Sequence, residues 1–180
     1  MKGFIVEILD PVIHFYKMRK KSEKLFCTII TLLIGVISYC IPLISKSNSR
    51  IMLIEFSNDV LNQFITMLTL FISFSMAYLS IIVSSSSKNV EEMKKRLSNS
   101  YFLNNKACTL YQVLVSEITY TLIVEIFFLL YVIFQKFLIA YMGGNFVKLL
   151  IATDISLFIH VLILMLVIVK NMYYAFWKSE

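Results

Sequence analysis

Four stretches of the chain lose the polar/apolar alternation of a half-exposed helix or strand and run apolar for about twenty residues each. They cover roughly residues 25–44, 60–83, 110–134 and 149–169. About twenty apolar residues is what a helix needs to cross the hydrocarbon core of a bilayer. In lipid only helices and closed barrels satisfy every backbone N–H and C=O. Barrel strands are about ten residues of alternating polarity, which these runs are not. The pattern therefore predicts an all-α protein: an integral membrane four-helix bundle, one transmembrane domain over residues 1–180.

Between the runs, helical periodicity returns in short pieces. Phe4, Ile5, Ile8, Leu9, Val12, Ile13 and Tyr16 recur at helical spacing in residues 1–24. Such a stripe suits a helix lying in the membrane interface or packed on its own bundle. Asp10-Pro11 reads as an N-cap followed by proline in the first turn, with the helix running through HFYKMRKK into the first span. In the connection 84–107, Asn89 and Glu92 have capping-box spacing. Glu91 with Lys95 and Glu92 with Arg96 have ion-pair spacing. With the stripe Val90, Met93 and Leu97, they predict a helix from about Val90 to Leu97. Ile51 to Phe56 reads as a half-buried segment on the outer rim, and Gly143-Gly144-Asn145 as the last inter-span turn. Pro42 tightens the exit of the first span. Tyr173, Tyr174, Phe176 and Trp177 form an aromatic belt past the fourth.

Charge then orients the bundle. Six basic residues precede the first span: Lys2, Lys17, Arg19, Lys20, Lys21 and Lys24. Five lie in the second connection (Lys88, Lys94, Lys95, Arg96, Lys106) and two in the tail (Lys170, Lys178). The other connections hold Lys46 and Arg50, and Lys136 and Lys148. Thirteen against four puts both termini and the middle connection in the cytosol, an N-in/C-in arrangement with short cytosolic helices. The net charge of +6 is thereby mainly a topology signal, and no direct nucleic-acid contact is expected. Lys17, Arg19, Lys20 and Lys21, with Lys94, Lys95 and Arg96, are the candidates for binding a soluble cytosolic partner or anionic lipid headgroups.

Composition agrees. Apolar types make up 59% of 180 residues, against about 45–50% in soluble domains. Cys27, Cys40 and Cys108 are odd in number, lie in or beside apolar runs, and have no metal-type spacing, so they read as packing residues and no cofactor is expected. Glu7 and Asp10 interrupt the first apolar stretch, against a cleavable signal. Frequent Lys, Ile and Asn with scarce Ala suggest an AT-rich bacterial or phage-like gene, hence a bacterial cytoplasmic membrane.

Ionisable groups inside a span are costly and so are functional suspects. Glu117, Glu125, Asp154 and His160 qualify. Depth counting in an antiparallel hairpin sets Glu117 against His160 and Glu125 against Asp154. The second pair would share a proton or hold a cation, and in an oligomer such carboxylates can line a cation path. As structural glue they would instead join helices or subunits. Asn62, Gln63, Thr66, Thr69, Ser73 and Ser75, with Gln112, Ser116, Thr119 and Tyr120, add hydrogen-bonding capacity that favours a homo-oligomer. The sequence holds no metalloprotease, P-loop, dinucleotide or nucleophile-elbow motif, so no enzyme is expected.

In its four spans, its basic segment KMRKKSEK and its loop KNVEEMKKRL, the layout resembles the membrane subunit of the Kiwa antiphage defence system. That resemblance implies a small four-span protein working with a soluble DNA-binding partner, and it carries no residue role with it. The leading expectation is a non-enzymatic membrane scaffold or sensor that homo-oligomerises, contacts membrane lipids and recruits a soluble cytosolic protein. The competing readings are an ion-conducting or membrane-depolarising pore, and an accessory protein that binds another membrane protein.

Overall fold

A computed structural model describes residues 2–41 and 50–177, with side chains described over 10–41, 51–98 and 101–173. Among these residues are six α-helices and one β-hairpin. They are α1 (Lys2–Met18), α2 (Lys21–Cys40), α3 (Arg50–Ser84), α4 (Lys88–Lys95), β1 (Leu97–Leu103), β2 (Lys106–Thr109), α5 (Leu110–Leu138) and α6 (Gly144–Trp177). Four of these helices, α2, α3, α5 and α6, are long and apolar enough to cross a membrane. Sequence expectations about the first connection and its exit (Pro42, Lys46), the side chains of Lys2, Phe4, Ile5, Ile8 and Leu9, Lys178, and the belt residues Tyr174, Phe176 and Trp177 lie outside the described residues.

The helices outrun the hydropathy windows that announced them. At 1.5 Å per residue, α3 and α6 are about 50 Å long and α5 about 43 Å. The hydrocarbon core is about 30 Å thick. Hydropathy falls at polar residues such as Asn58, Asp59 and Lys136, but a helix continues wherever its backbone bonds can. Ile51 to Phe56 is accordingly the opening of α3 rather than a separate rim segment. The last two helices are joined through a single 3-10 turn, Ile139–Tyr141.

Two N-terminal expectations are corrected. Asp10-Pro11 does not start a helix: α1 begins at Lys2 and carries Pro11 inside it. Nor does α1 flow into the first span. It stops at Met18, and the chain breaks at Arg19-Lys20 before α2 begins. In the middle connection the cap is Ser87, not Asn89: its side chain accepts from the Val90 N–H at 3.4 Å. The helix ends at Lys95, two residues before the expected Leu97. The chain that follows forms β1 and β2, closed by Asn104-Asn105 with φ of 50° and 64°. Positive φ at both central residues is the two-residue hairpin turn that Asn tolerates and branched residues do not.

The chain divides into two compact units, to both of which α3, α5 and α6 contribute. Unit 1 holds residues 1–25, 74–123 and 163–180. Its core joins Ile82, Val90, Met93, Leu114, Ile118 and Ile168, so the apolar stripe of α4 is what docks it. Leu97, assigned to that stripe by spacing, is 58% exposed. α1 is held by Phe15, stacked on Tyr120 at 3.8 Å, and by Met18 against Cys108 and Val113. Ile13 and Tyr16 remain exposed.

Unit 2 holds residues 26–73 and 124–162. Its core is built from Leu53, Leu61, Phe64 and Leu68 of α3, Phe128 and Val132 of α5, and Val147, Ile151 and Val161 of α6. α2 is the least buried of the long helices and meets α6 through small and polar groups. Ser156 Oγ donates to the Thr31 carbonyl at 2.7 Å, and a Cβ added at Gly35 would lie 3.2 Å from Ser156. Close approach at small residues is how helices associate where no hydrophobic drive separates them from solvent lipid.

Candidate functional site

The charge asymmetry of the sequence coincides with the division into units. Unit 1 contains thirteen of the seventeen Lys and Arg and seven of the eleven Asp and Glu, a net charge of +6. Unit 2 contains four of each and has no net charge. On unit 1, Lys17, Lys20 and Lys21 are exposed at the break between α1 and α2. Lys88, Lys94, Lys95, Arg96 and Lys106 are exposed on α4 and the hairpin. Lys94 pairs with Glu91 at 2.9 Å, an i,i+3 contact in place of the expected i,i+4 pairs. Each holds the other charged: the hydrogen bond lowers the Glu91 pKa and raises that of Lys94. On an exposed helix such a pair contributes little stability.

Arg19 does not belong to this exposed set. It is 7% exposed, because α1 ends one residue earlier and its side chain turns inward. The guanidinium lies 4.7 Å over the Phe15 ring. Its Nη2 faces Glu117 Oε1 at 3.9 Å, and its Nε faces Glu23 Oε2 at 3.9 Å. Glu117, 3% exposed, accepts a hydrogen bond from Asn171 Nδ2 at 2.6 Å on its other oxygen. The Tyr16 and Tyr120 hydroxyls bond each other at 3.0 Å beside this cluster. Tyr101 of the hairpin feels it too. Burial, then the charges of Glu117 and Glu23, push its phenol up to about 12. Cys108, buried against Met18 Sδ at 3.5 Å, has its thiol pushed up by burial, which makes it a packing residue rather than a nucleophile.

The pairing of Glu117 with His160 is overturned. Glu117 meets Asn171, about 16 Å along α6 from His160. His160 is a partner of Thr31, Nδ1 to Oγ1 3.2 Å, and serves the α2–α6 junction. The depth count failed because it assumed symmetric entry points for spans that in fact continue well past their apolar windows. The same offset applies in unit 2, where the partner of Asp154 is Gln135, ten residues beyond Glu125 on α5. Gln135 Nε2 donates to Asp154 Oδ2 at 2.7 Å, and Tyr131 supplies a second side-chain hydrogen bond. Asp154 and Glu125 are both fully buried. No basic side chain pairs with Asp154 among the described residues.

The polar groups expected to bind across helices largely do not. Thr66, Thr69 and Ser73 are exposed and donate one turn back to the carbonyls of Asn62, Ile65 and Thr69 in their own helix. Thr119 does likewise with Val115. Asn62 and Tyr120 are exceptions: Asn62 Oδ1 accepts from Lys136 Nζ at 2.6 Å, and the Tyr120 hydroxyl bonds that of Tyr16. The arrangement thus offers an exposed cationic surface on unit 1 and two enclosed polar clusters. It brings together no nucleophile with a base, and no group of three or more His, Cys, Asp or Glu able to hold a metal, among the described residues. No family model, curated protein or solved structure matches the chain.

Proposed function

We propose that the protein is a non-enzymatic membrane scaffold or sensor subunit. It sits in a bacterial cytoplasmic membrane with both termini in the cytosol, assembles with copies of itself, and recruits a soluble cytosolic partner through the exposed cations of unit 1. One observation carries this reading: the whole net charge of +6 belongs to unit 1, displayed on α4, the hairpin and the α1–α2 break, while unit 2 is neutral. The positive-inside rule assigns such a unit to the cytosol. Lys94, Lys95 and Arg96 then present a cationic surface at the C-terminal end of the docked helix α4, which suits an acidic partner and speeds its encounter. A defence role follows only from the resemblance to the Kiwa membrane subunit. The pore reading rests on Asp154 and Glu125, and it is the weaker one because both are enclosed in the core of their own unit, with Asp154 already held by Gln135.

The test is native mass spectrometry of the chain gently extracted from its host membrane, wild type beside the triple variant Lys94→Glu, Lys95→Glu, Arg96→Glu. The expected outcome is a homo-oligomer carrying a stoichiometric soluble protein that the variant loses while its own assembly persists. Recruitment that survives charge reversal, or a bare oligomer that passes ions in liposomes, overturns the proposal.

A further inference from the structure

Unit 1 contains an open cavity of about 670 Å³, walled by one face of α1, one face of α5 and the hairpin. That volume lies in the range of sites that take a molecule rather than a few waters. Its lining mixes two kinds of chemistry. The polar part includes Lys106, His14 and the Gln112 amide. Lys106 and His14 are exposed, and Lys106 makes no ion pair among the described residues. Gln112 spends its carbonyl oxygen on the Thr109 N–H at 2.9 Å, so the edge it has left to offer a ligand is its NH2 donor. The apolar part includes Met18, Leu103 and Val115, and the Ser116 hydroxyl in the lining is buried without a hydrogen-bond partner. No Asp or Glu lines the cavity.

We infer that this cavity is a binding site for an anionic phospholipid. The phosphodiester lies on Lys106, with His14 and the Gln112 amide donating to its oxygens. The first part of an acyl chain lies along Val115 and Met18, and a glycerol ester oxygen accepts from Ser116. Three features select this ligand over others. The lining carries cationic and donor groups but no carboxylate, which selects an anion. Polar and apolar groups line one and the same cavity, which selects an amphiphile over a free ion. The wall of α5 from Tyr111 to Thr119 belongs to a helix apolar enough to span a membrane, so the cavity opens along a surface that lipid can reach. The chemistry is that of the basic interfacial pockets that hold lipid headgroups. The inference stands apart from partner recruitment, since it uses Lys106 and the α1–α5 groove and not Lys94, Lys95 or Arg96.

The experiment titrates the purified full chain in detergent with phosphatidylglycerol, phosphatidylcholine or inorganic phosphate and counts bound molecules by native mass spectrometry. Wild type retains one phosphatidylglycerol per chain in preference to phosphatidylcholine. Lys106→Glu lowers that retention about tenfold, the size expected for reversing one interfacial charge. Ala107→Trp fills the cavity from the hairpin and abolishes it without altering charge. Lys148→Glu, in unit 2 and outside the lining, leaves it unchanged. Equal retention of both lipids, retention unaffected by Lys106→Glu and Ala107→Trp alike, or competition by inorganic phosphate at concentrations comparable to lipid each overturns the proposal.

Discussion

The two buried carboxylates that the structure explains best, Glu117 in unit 1 and Asp154 in unit 2, are held in opposite ways. Glu117 faces a guanidinium and an amide: Arg19 balances its charge and Asn171 satisfies an oxygen. Asp154 faces neutral groups only, Gln135 and Tyr131. The first cluster is electrostatic and joins the N-terminal break to α5 and α6. The second is a hydrogen-bond network inside an apolar core. Both looked alike in the sequence, as acidic residues in apolar runs. The difference shows that an intramembrane carboxylate is defined by its neighbours and not by its hydropathy window.

That comparison can be broken by substitution. The largest effect belongs to Arg19→Leu, which removes the guanidinium that faces buried Glu117. Unfolding of the purified protein in detergent should become easier by about 3 kcal/mol, the usual cost of removing one member of a buried pair. Adding Glu117→Gln, which keeps an acceptor for Asn171, should recover much of that loss. If the double variant is as unstable as the sum of the single ones, the two side chains are not coupled.

Next in size is Gly35→Leu, which drives a side chain into Ser156 and forces α2 away from α6. Overpacking of this kind costs about 2 kcal/mol. Because Thr31 and His160 lie on the same junction, their contact should open together with it, visible as faster protease cleavage after α2. Smallest is Asp154→Asn. Amide and carboxylate have the same shape, Gln135 and Tyr131 can rebond to it, and no cation is abandoned, so the change in the same unfolding assay should stay under about 1 kcal/mol. A large loss there would mean that Asp154 carries a charge the molecule uses, and would revive the ion-path reading.

Much of the fold was legible because lipid leaves so few options. Runs of about twenty apolar residues have to be helices, and each of the four expected spans lies largely within a helix long enough to cross. The helix α4 was legible in the stripe of Val90 and Met93, the two residues that prove buried. The ends were not, because hydropathy reports where lipid stops and not where a helix stops, and the hairpin register shifted with them. The β-hairpin left one readable signal, Asn104-Asn105 between two short apolar stretches, in a segment read only as loop. Arg19 was misplaced for a different reason. Inside the run KMRKK it looks like its neighbours, and only the helix break beside it, which composition does not announce, turns it toward Glu117.

The central proposal is that the connection carrying α4 lies in the cytosol while the turn between α5 and α6 lies outside. It is tested most directly by a membrane-impermeant maleimide on intact cells, in a background where Cys27, Cys40 and Cys108 are replaced by serine. Single cysteines go at Lys88, the first residue of α4, and at Tyr141, itself 86% exposed in the turn between α5 and α6. The account predicts that Tyr141→Cys is labelled on intact cells and Lys88→Cys only after permeabilisation. The reverse pattern, or both sites reacting from the same side, would contradict it.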